Sequence, residues 1–551
     1  MFSTSAVTMI TLLLSAVFLS FALLLWRPVI RLLVKSPLDN IPGPTPESYW
    51  RGIFGKVFHA DAIDFLEDIA KTYGSVSRIP SFMGENWLFI FDPKALQHIV
   101  GKEQDAFEET DAFIASNKLA FGDGLLGTLG EQHRKQRKLL NPVFSVGHMR
   151  EMTPIFYDVA EKLRGTLLKK VQNGPQEVDV ASWMSRTALE LIAQSGIGYS
   201  FDELTEEHAP HEYAIAYKQL SPASYNFVFV RNYLLSTLVK IGSPKFRRYI
   251  VDMLPGKNVL ELKNIIDVMH NTAVKIYETK KRAIAQGDAA LAEQIGRGKD
   301  VMSILMRANM SASAEDSIPE EEVVSQISTI MAAGADTTSN ALARVLHLLA
   351  KNPDVQEKLR HEISEAKEPM AQLEHDRLVN LPYLDAVCRE MLRLYPPVYM
   401  VPKAAQKDTV LPLHTPIKGL DGSEIREIPI QAGTNVIVGI AAANCNPELW
   451  GPDSYEWKPE RWLKPLPEAV PQAHIPGVYS HIMTFLAGGR ACIGFKFSLI
   501  EMKVVVSVLV ESFRFSLSDK EIHWQLSEVV APAVREGGVS RTLLPLIVER
   551  V

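Results

Sequence analysis

Apolar residues recur three and four positions apart over 62–70, 156–168, 184–192 and 320–350, the spacing that lines one face of an α-helix. Strand-like stretches bounded by Gly, Pro or Asp are fewer: Val76 to Phe82, Trp87 to Phe91, Val410 to Leu413 and Thr434 to Val438. The pattern predicts a mainly α body with a minority of strands.

The longest helix begins at Ser317-Ile318-Pro319-Glu320-Glu321-Glu322, where a proline and three acids favour a helix N-terminus, and stops before Asn352-Pro353. A helix of about 32 residues, apolar around most of its circumference, must run through the middle of a large domain. At its centre stands Ala333-Gly334-Ala335-Asp336-Thr337-Thr338. Glycine there costs about 1 kcal/mol against alanine and threonine is a mediocre helix former, so something other than helix stability selects these residues.

At the other extreme, Val7 to Trp26 is a run of 20 residues without a charge, about the length that crosses a bilayer core. Arg27, Arg31 and Lys35 follow, which would hold the C-terminal side in the cytosol. A cleaved signal would need a basic start and a small-residue cleavage site, and neither is present. The expectation is therefore one N-terminal transmembrane helix over 1–26, a basic and proline-rich hinge over 27–46, and a catalytic body over 47–551. Prolines at 37, 42, 44 and 46 make the hinge a stiff, extended connector. With the body in the cytosol, the sequon at Asn309 would stay unmodified.

Composition narrows the function. A net charge of −6 and 22% charged residues argue against a general nucleic-acid binder. The three cysteines, Cys388, Cys445 and Cys492, lie far apart and form no CxxC, so neither a disulfide framework nor a structural zinc site is indicated. No repeat suggests a solenoid.

One of those cysteines sits in Phe485-Leu486-Ala487-Gly488-Gly489-Arg490-Ala491-Cys492-Ile493-Gly494. A lone cysteine in a glycine-rich turn before a helix suits an electron-rich axial ligand for iron that must cleave an O–O bond. Glycines let backbone N–H groups approach the sulfur, and the helix N-terminus favours the thiolate. Arg490 has the fork geometry for a carboxylate. A merely buried cysteine is the competing reading, and the surrounding residues disfavour it.

Phe-x-x-Gly-x-Arg-x-Cys-x-Gly resembles the haem-binding signature of the cytochrome P450 family, and the likeness extends over about residues 40 to 545. It implies the fold of that family, a helical prism with a smaller β-rich lobe, and haem b held by the Cys492 thiolate, with Phe485, Arg490 and Gly494 around it. Glu390 and Arg393, one turn apart before Pro396-Pro397, would join Arg461 of Pro459-Glu460-Arg461-Trp462 in a structural triad. Ala333 and Gly334 would leave room for dioxygen, with Thr337 bonding the distal oxygen and Asp336 relaying protons as the catalytic pair. His133 and Arg137, on one face of the helix opened by Gly130, and Lys403 after the Pro-Pro turn would reach haem propionates; relatives often carry Trp and Arg where His133 and Lys403 stand.

The resemblance further implies a monooxygenase that takes O2 and electrons from NADPH through cytochrome P450 reductase, with cytochrome b5 as a second donor, in the endoplasmic reticulum membrane. Arg134, Lys135, Arg137, Lys138, Arg490 and Lys496 would form a basic patch for the acidic donor. Wording such as Gln136 to Ser145 is similar to fungal members, where secondary metabolism and xenobiotic oxidation are common. The substrate is then a lipophilic terpenoid, steroid or polycyclic aromatic. Two alternatives stay open: a thiolate-haem isomerase or dehydratase, which would not need Asp336 and Thr337, and a non-enzymatic haem-binding membrane protein. Gly122-Asp123-Gly124-Leu125-Leu126-Gly127 matches GxGxxG by spacing but follows no apolar strand, which argues against dinucleotide binding.

Overall fold

The computed structural model describes residues 31–551 apart from 32, 208–210, 297 and 369–371. The predicted membrane anchor at Val7 to Trp26 lies outside the described residues, among which no helix is long and apolar enough to cross a membrane.

The proline-rich stretch belongs to the body rather than standing off it. Leu38 and Ile41 are buried in the core, the Arg78 amide donates to the Pro42 carbonyl at 2.8 Å, and Asn40 bonds Asp421 and Ser423. Gly43 lies so close to Arg78 that an added Cβ would stand 2.0 Å from the Arg78 carbonyl oxygen. The expected boundary at 47 therefore moves back to about Ser36, because apolar residues between the prolines find a core to enter.

Helices supply most of the structure: α1 (Ala62–Tyr73), α2 (Asp111–Phe121), α3 (Gly130–Leu140), α4 (Val146–Lys170), α5 (Val180–Ile192), α6 (Glu212–Tyr225), α7 (Lys257–Gln286), α8 (Glu320–Lys351), α9 (Pro382–Leu394) and α10 (Phe495–Ser512). The long helix is the predicted one. It has Pro319 at its N-cap, three acids in the first turn and Lys351 in the last, so both ends oppose the helix dipole favourably. It packs against α5 on one side and α10 on another, and α10 packs in turn on α4. The Val-rich α10 is buried along nearly its whole length, with Lys503 bonded to Asp385 of α9 at 2.7 Å.

The β-rich lobe is a five-stranded sheet of β1 (Val76–Pro80), β2 (Asn86–Ile90), β3 (Phe107–Glu109), β4 (Met400–Ala405) and β5 (Asn435–Gly439), in the order β1-β2-β5-β4-β3. Only β2 and β5 run parallel. Segments 76–82, 87–91 and 434–438 were legible as strands; β3 and β4 were not, since they are short and lack a clean alternation. A hairpin of 409–418 with 424–430 contains the expected strand at 410–413. Two three-stranded sheets complete the β structure, one joining 176–179, 545–550 and 513–517.

Candidate active site

Most of α8 is buried, but Ala333 is exposed and Gly334, Asp336 and Thr337 are partly so, midway along a helix whose flanking turns are in the core. Exposure at the centre of a core helix means that this stretch faces an internal space. Cys492 shows the same signature: it keeps solvent-accessible surface although surrounding protein closes densely around it.

The cysteine loop is built by backbone contacts. The Cys492 amide donates to the Phe485 carbonyl at 2.9 Å, and Phe485 packs edge-on against Tyr479 and at a tilt against Phe495. Gly488 has φ +64° and lies against the Val100 carbonyl, with 2.0 Å left for a Cβ, so only glycine fits. The Gly489 amide donates to Gln104 Oε1 at 2.5 Å. Burial pushes the Cys492 thiol up; the Gly494 N–H and the Arg137 guanidinium pull the other way. A metal ion replacing the thiol proton would complete that environment.

Beside the loop lies a cavity of about 300 Å³ lined by His133, Arg134, Arg137, Lys403 and Arg490 with Leu486 and Ala487. Burial first, then Arg490, Arg137, Lys403 and Arg134, pushes His133 down to about 3, so its imidazole is neutral at ordinary pH. Arg490 is aimed by the backbone: its Nη2 donates to the Thr128 carbonyl at 2.7 Å and stands 3.5 Å from Glu108. The half-buried Arg137 guanidinium makes no side-chain hydrogen bond or ion pair among the described residues. A cationic cavity with an unpaired guanidinium and a thiol nearby suits the carboxylates and the iron of a haem. His133, Arg137 and Arg490 would hold its propionates and Cys492 its iron.

Three expectations change. Lys403 lines this cavity, but its ammonium is already paired with Glu109 at 2.8 Å, both side chains almost fully buried. Gly334 serves helix packing: a Cβ there would stand 2.8 Å from Cγ1 of Ile192, so glycine admits α5 while Ala333 faces the open space. Arg137 and Arg490 line the cavity, and the exposed cations at its rim, Arg134 and Lys138, pair with Asp105 and Asp316, which leaves the basic patch smaller than expected.

Thr337 donates its hydroxyl to the Ala333 carbonyl at 2.7 Å and keeps its oxygen lone pairs available. Asp336 is pushed up to about 6, chiefly by burial, with Tyr217 opposing. The decoy Gly122 to Gly127 forms the loop that α8 supports. Leu125 N–H donates to Gln326 Oε1 at 3.1 Å, and a Cβ on Gly124 would meet Thr329 Oγ1 at 2.2 Å.

Glu390, Arg393 and Arg461 come together behind the cysteine loop. Glu390 accepts from Arg393, from Arg461 Nε at 3.3 Å, from Trp462 Nε1 at 2.9 Å and from the Lys458 amide at 3.2 Å. Arg393 also donates to the carbonyls of Asn444 and Ser454. Asn444 then bonds Thr484 and the Met483 amide, which carries the network to the residue before Phe485. Asn444 and Gln104 were missed in the sequence, where nothing marks either; Trp462 stood beside Arg461 in plain view.

The Cytochrome P450 family model matches residues 42–535. The chain is 50% identical over 531 residues to cytochrome P450 monooxygenase 91 of Postia placenta, covering 96% of this chain and 97% of that protein. It is 44% identical to a ganoderic acid synthetase of Ganoderma lucidum, over 93% and 94% of the two chains, and 35% identical to a cytochrome P450 monooxygenase of Hericium erinaceus over the same shares.

Proposed function

The chain belongs to the cytochrome P450 family, an oxidoreductase family that binds haem through a cysteine thiolate, and from that premise we propose a membrane-anchored monooxygenase that hydroxylates a lipophilic small molecule. The observation that carries the reading is that Cys492 and the mid-helix segment Ala333 to Thr337, which retains both Asp336 and Thr337, each keep accessible surface although the residues flanking them are in the core. An isomerase or a scaffold would have no use for that acid and hydroxyl.

The haem, once bound, supplies O2 activation. The chain's own residues do the rest. Cys492 would hold the haem iron through sulfur. His133, Arg137 and Arg490 would hold the haem carboxylates. Thr337 keeps lone pairs available beyond its bond to the Ala333 carbonyl, and Asp336, its carboxyl pushed up to about 6, can take up and release a proton near neutral pH. The apolar run at 7–26 supports anchoring in the endoplasmic reticulum membrane, and with it electron supply from NADPH by cytochrome P450 reductase and cytochrome b5. Kinship with fungal relatives, one named for ganoderic acid, supports small-molecule metabolism, with terpenoids, steroids and polycyclic aromatics as the first substrates to test.

The test is incubation of microsomes holding the protein and its reductase with that substrate panel under 18O2. One labelled oxygen atom in an NADPH-dependent product is expected. A product that forms without NADPH or without label would make the protein an isomerase.

A further inference from the structure

Among the cations expected at the haem carboxylates, Lys403 is the one that the fold supplies with a buried acid. It stands on β4 directly across from Glu109, the last residue of β3, in an antiparallel register that pairs the two positions. The ammonium donates to Glu109 Oε1 at 2.8 Å, with only 2% and 9% of the two side chains exposed. Successive strand residues face opposite ways. Glu108 accordingly lines the cavity, 3.5 Å from Arg490, whereas Glu109 is outside the lining although Lys403 is within it.

The other charges around the cavity are arranged differently. Arg134 and Asp105, 3.7 Å apart, are 64% and 76% exposed, and Lys138 with Asp316 is also open to solvent, so water and salt screen both pairs. His133 is neutral, which leaves the guanidiniums of Arg137 and Arg490 to meet the haem carboxylates. A further cation inside the protein would weigh more than one at the rim, because buried charges act through an effective dielectric of about 20 rather than about 80. Reduction of the iron adds one negative charge to the haem. An unpaired cation nearby therefore favours the reduced form, while a neutral ion pair changes it little.

We propose that Glu109 is a positioning residue for the haem: by holding the Lys403 ammonium it withholds that charge from the haem carboxylates and keeps the reduction potential of the iron below the value that a free Lys403 would give. Arg137 and Arg490 are then the charged holders of the carboxylates. Lys403 is a point charge on a flexible stem, so loss of its acid frees it to turn toward them. The contact that joins β3 to β4 beside the cavity thus also sets the charge that the haem meets.

This inference rests on haem being bound at the cavity beside Cys492, yet it can fail separately. The measurement is the reduction potential of the purified, haem-loaded protein, read by spectroelectrochemistry without substrate or turnover. Glu109→Gln keeps the shape of the side chain and removes its charge; it should move the reduction equilibrium about tenfold toward the reduced form, about 59 mV for one electron. Glu109→Gln combined with Lys403→Gln buries no charge and should return to the wild-type potential. The propionate bending bands of the resonance Raman spectrum should shift in the first variant and return in the second, which a merely structural bridge between β3 and β4 would not produce. Glu109→Ala replaces the amide variant if that one loads haem poorly. An unmoved potential in the single variant would overturn the role of Glu109. So would a double variant lying about tenfold toward the oxidised form, since Lys403 would then already serve the carboxylates. Absence of a thiolate-ligated haem in the wild type would instead remove the reading of the site itself.

Discussion

Arg393 grips Glu390 with both ends of its guanidinium, Nε to Oε2 at 2.9 Å and Nη2 to Oε1 at 2.8 Å, and neither side chain has any solvent exposure. A buried pair of this kind is costly to break from one side, because the survivor keeps its charge without a partner; the loss is about 3–5 kcal/mol. Glu390→Gln and Arg393→Met should therefore yield little haem-loaded protein. Arg393→Lys should do no better, since one ammonium cannot replace a fork that also holds the Asn444 and Ser454 carbonyls. Haem per polypeptide after purification is the measurement.

Gly488 offers a second structural test. Gly488→Ala would place a Cβ at 2.0 Å from the Val100 carbonyl in a positive-φ turn, whereas Gly537→Ala, with φ +58° and nothing within 4 Å, carries backbone strain alone. The strain alone costs about 1 kcal/mol. Haem loading should fall sharply in the first variant and stay near wild type in the second.

What the sequence could and could not reveal follows from the range of the interactions. The α8 helix, the cysteine loop and the Glu390–Arg393 pair were legible because periodicity and short spacings encode them locally. Gln104, which braces Gly489 from 385 positions away, has no local signature. The same holds for Glu109, which takes up the Lys403 charge across β3 and β4. Gly334 was assigned to the wrong neighbour because a helix glycine looks alike whether it admits a ligand or another helix; only the position of Ile192 distinguishes them.

Among the described residues the Thr337 side chain makes one hydrogen bond, to the Ala333 carbonyl of its own helix, so Thr337→Ala should fold and load haem normally. Its loss should appear in coupling: with a turned-over substrate, product per NADPH should fall about tenfold while peroxide rises. Stoichiometry of NADPH, peroxide and product reads this directly, and unchanged coupling would assign the proton to another group.

Glu501 on α10 is fully buried, its nearest side-chain partner being the Thr338 hydroxyl at 3.4 Å, and burial holds its carboxyl well above the usual 4.5. With the folded pKa raised, stability is complete below about pH 4.5 and declines as pH rises, because the unfolded chain ionises this group while the folded one does not. The slope is about 1.4 kcal/mol per pH unit until the folded carboxyl itself titrates. Glu501→Gln carries no such penalty. Its melting temperature relative to wild type should rise from pH 5 to pH 8; a constant difference would mean that the buried group is ionised.

The assignment of Cys492 as the iron ligand is tested most directly by the reduced, CO-bound difference spectrum of the wild-type protein in microsomes beside Cys492→Ala. The wild type should show the band of a thiolate-ligated haem and the variant should lack it. A wild-type band typical of haem without a thiolate, or a thiolate-type band that survives in Cys492→Ala, would contradict the assignment.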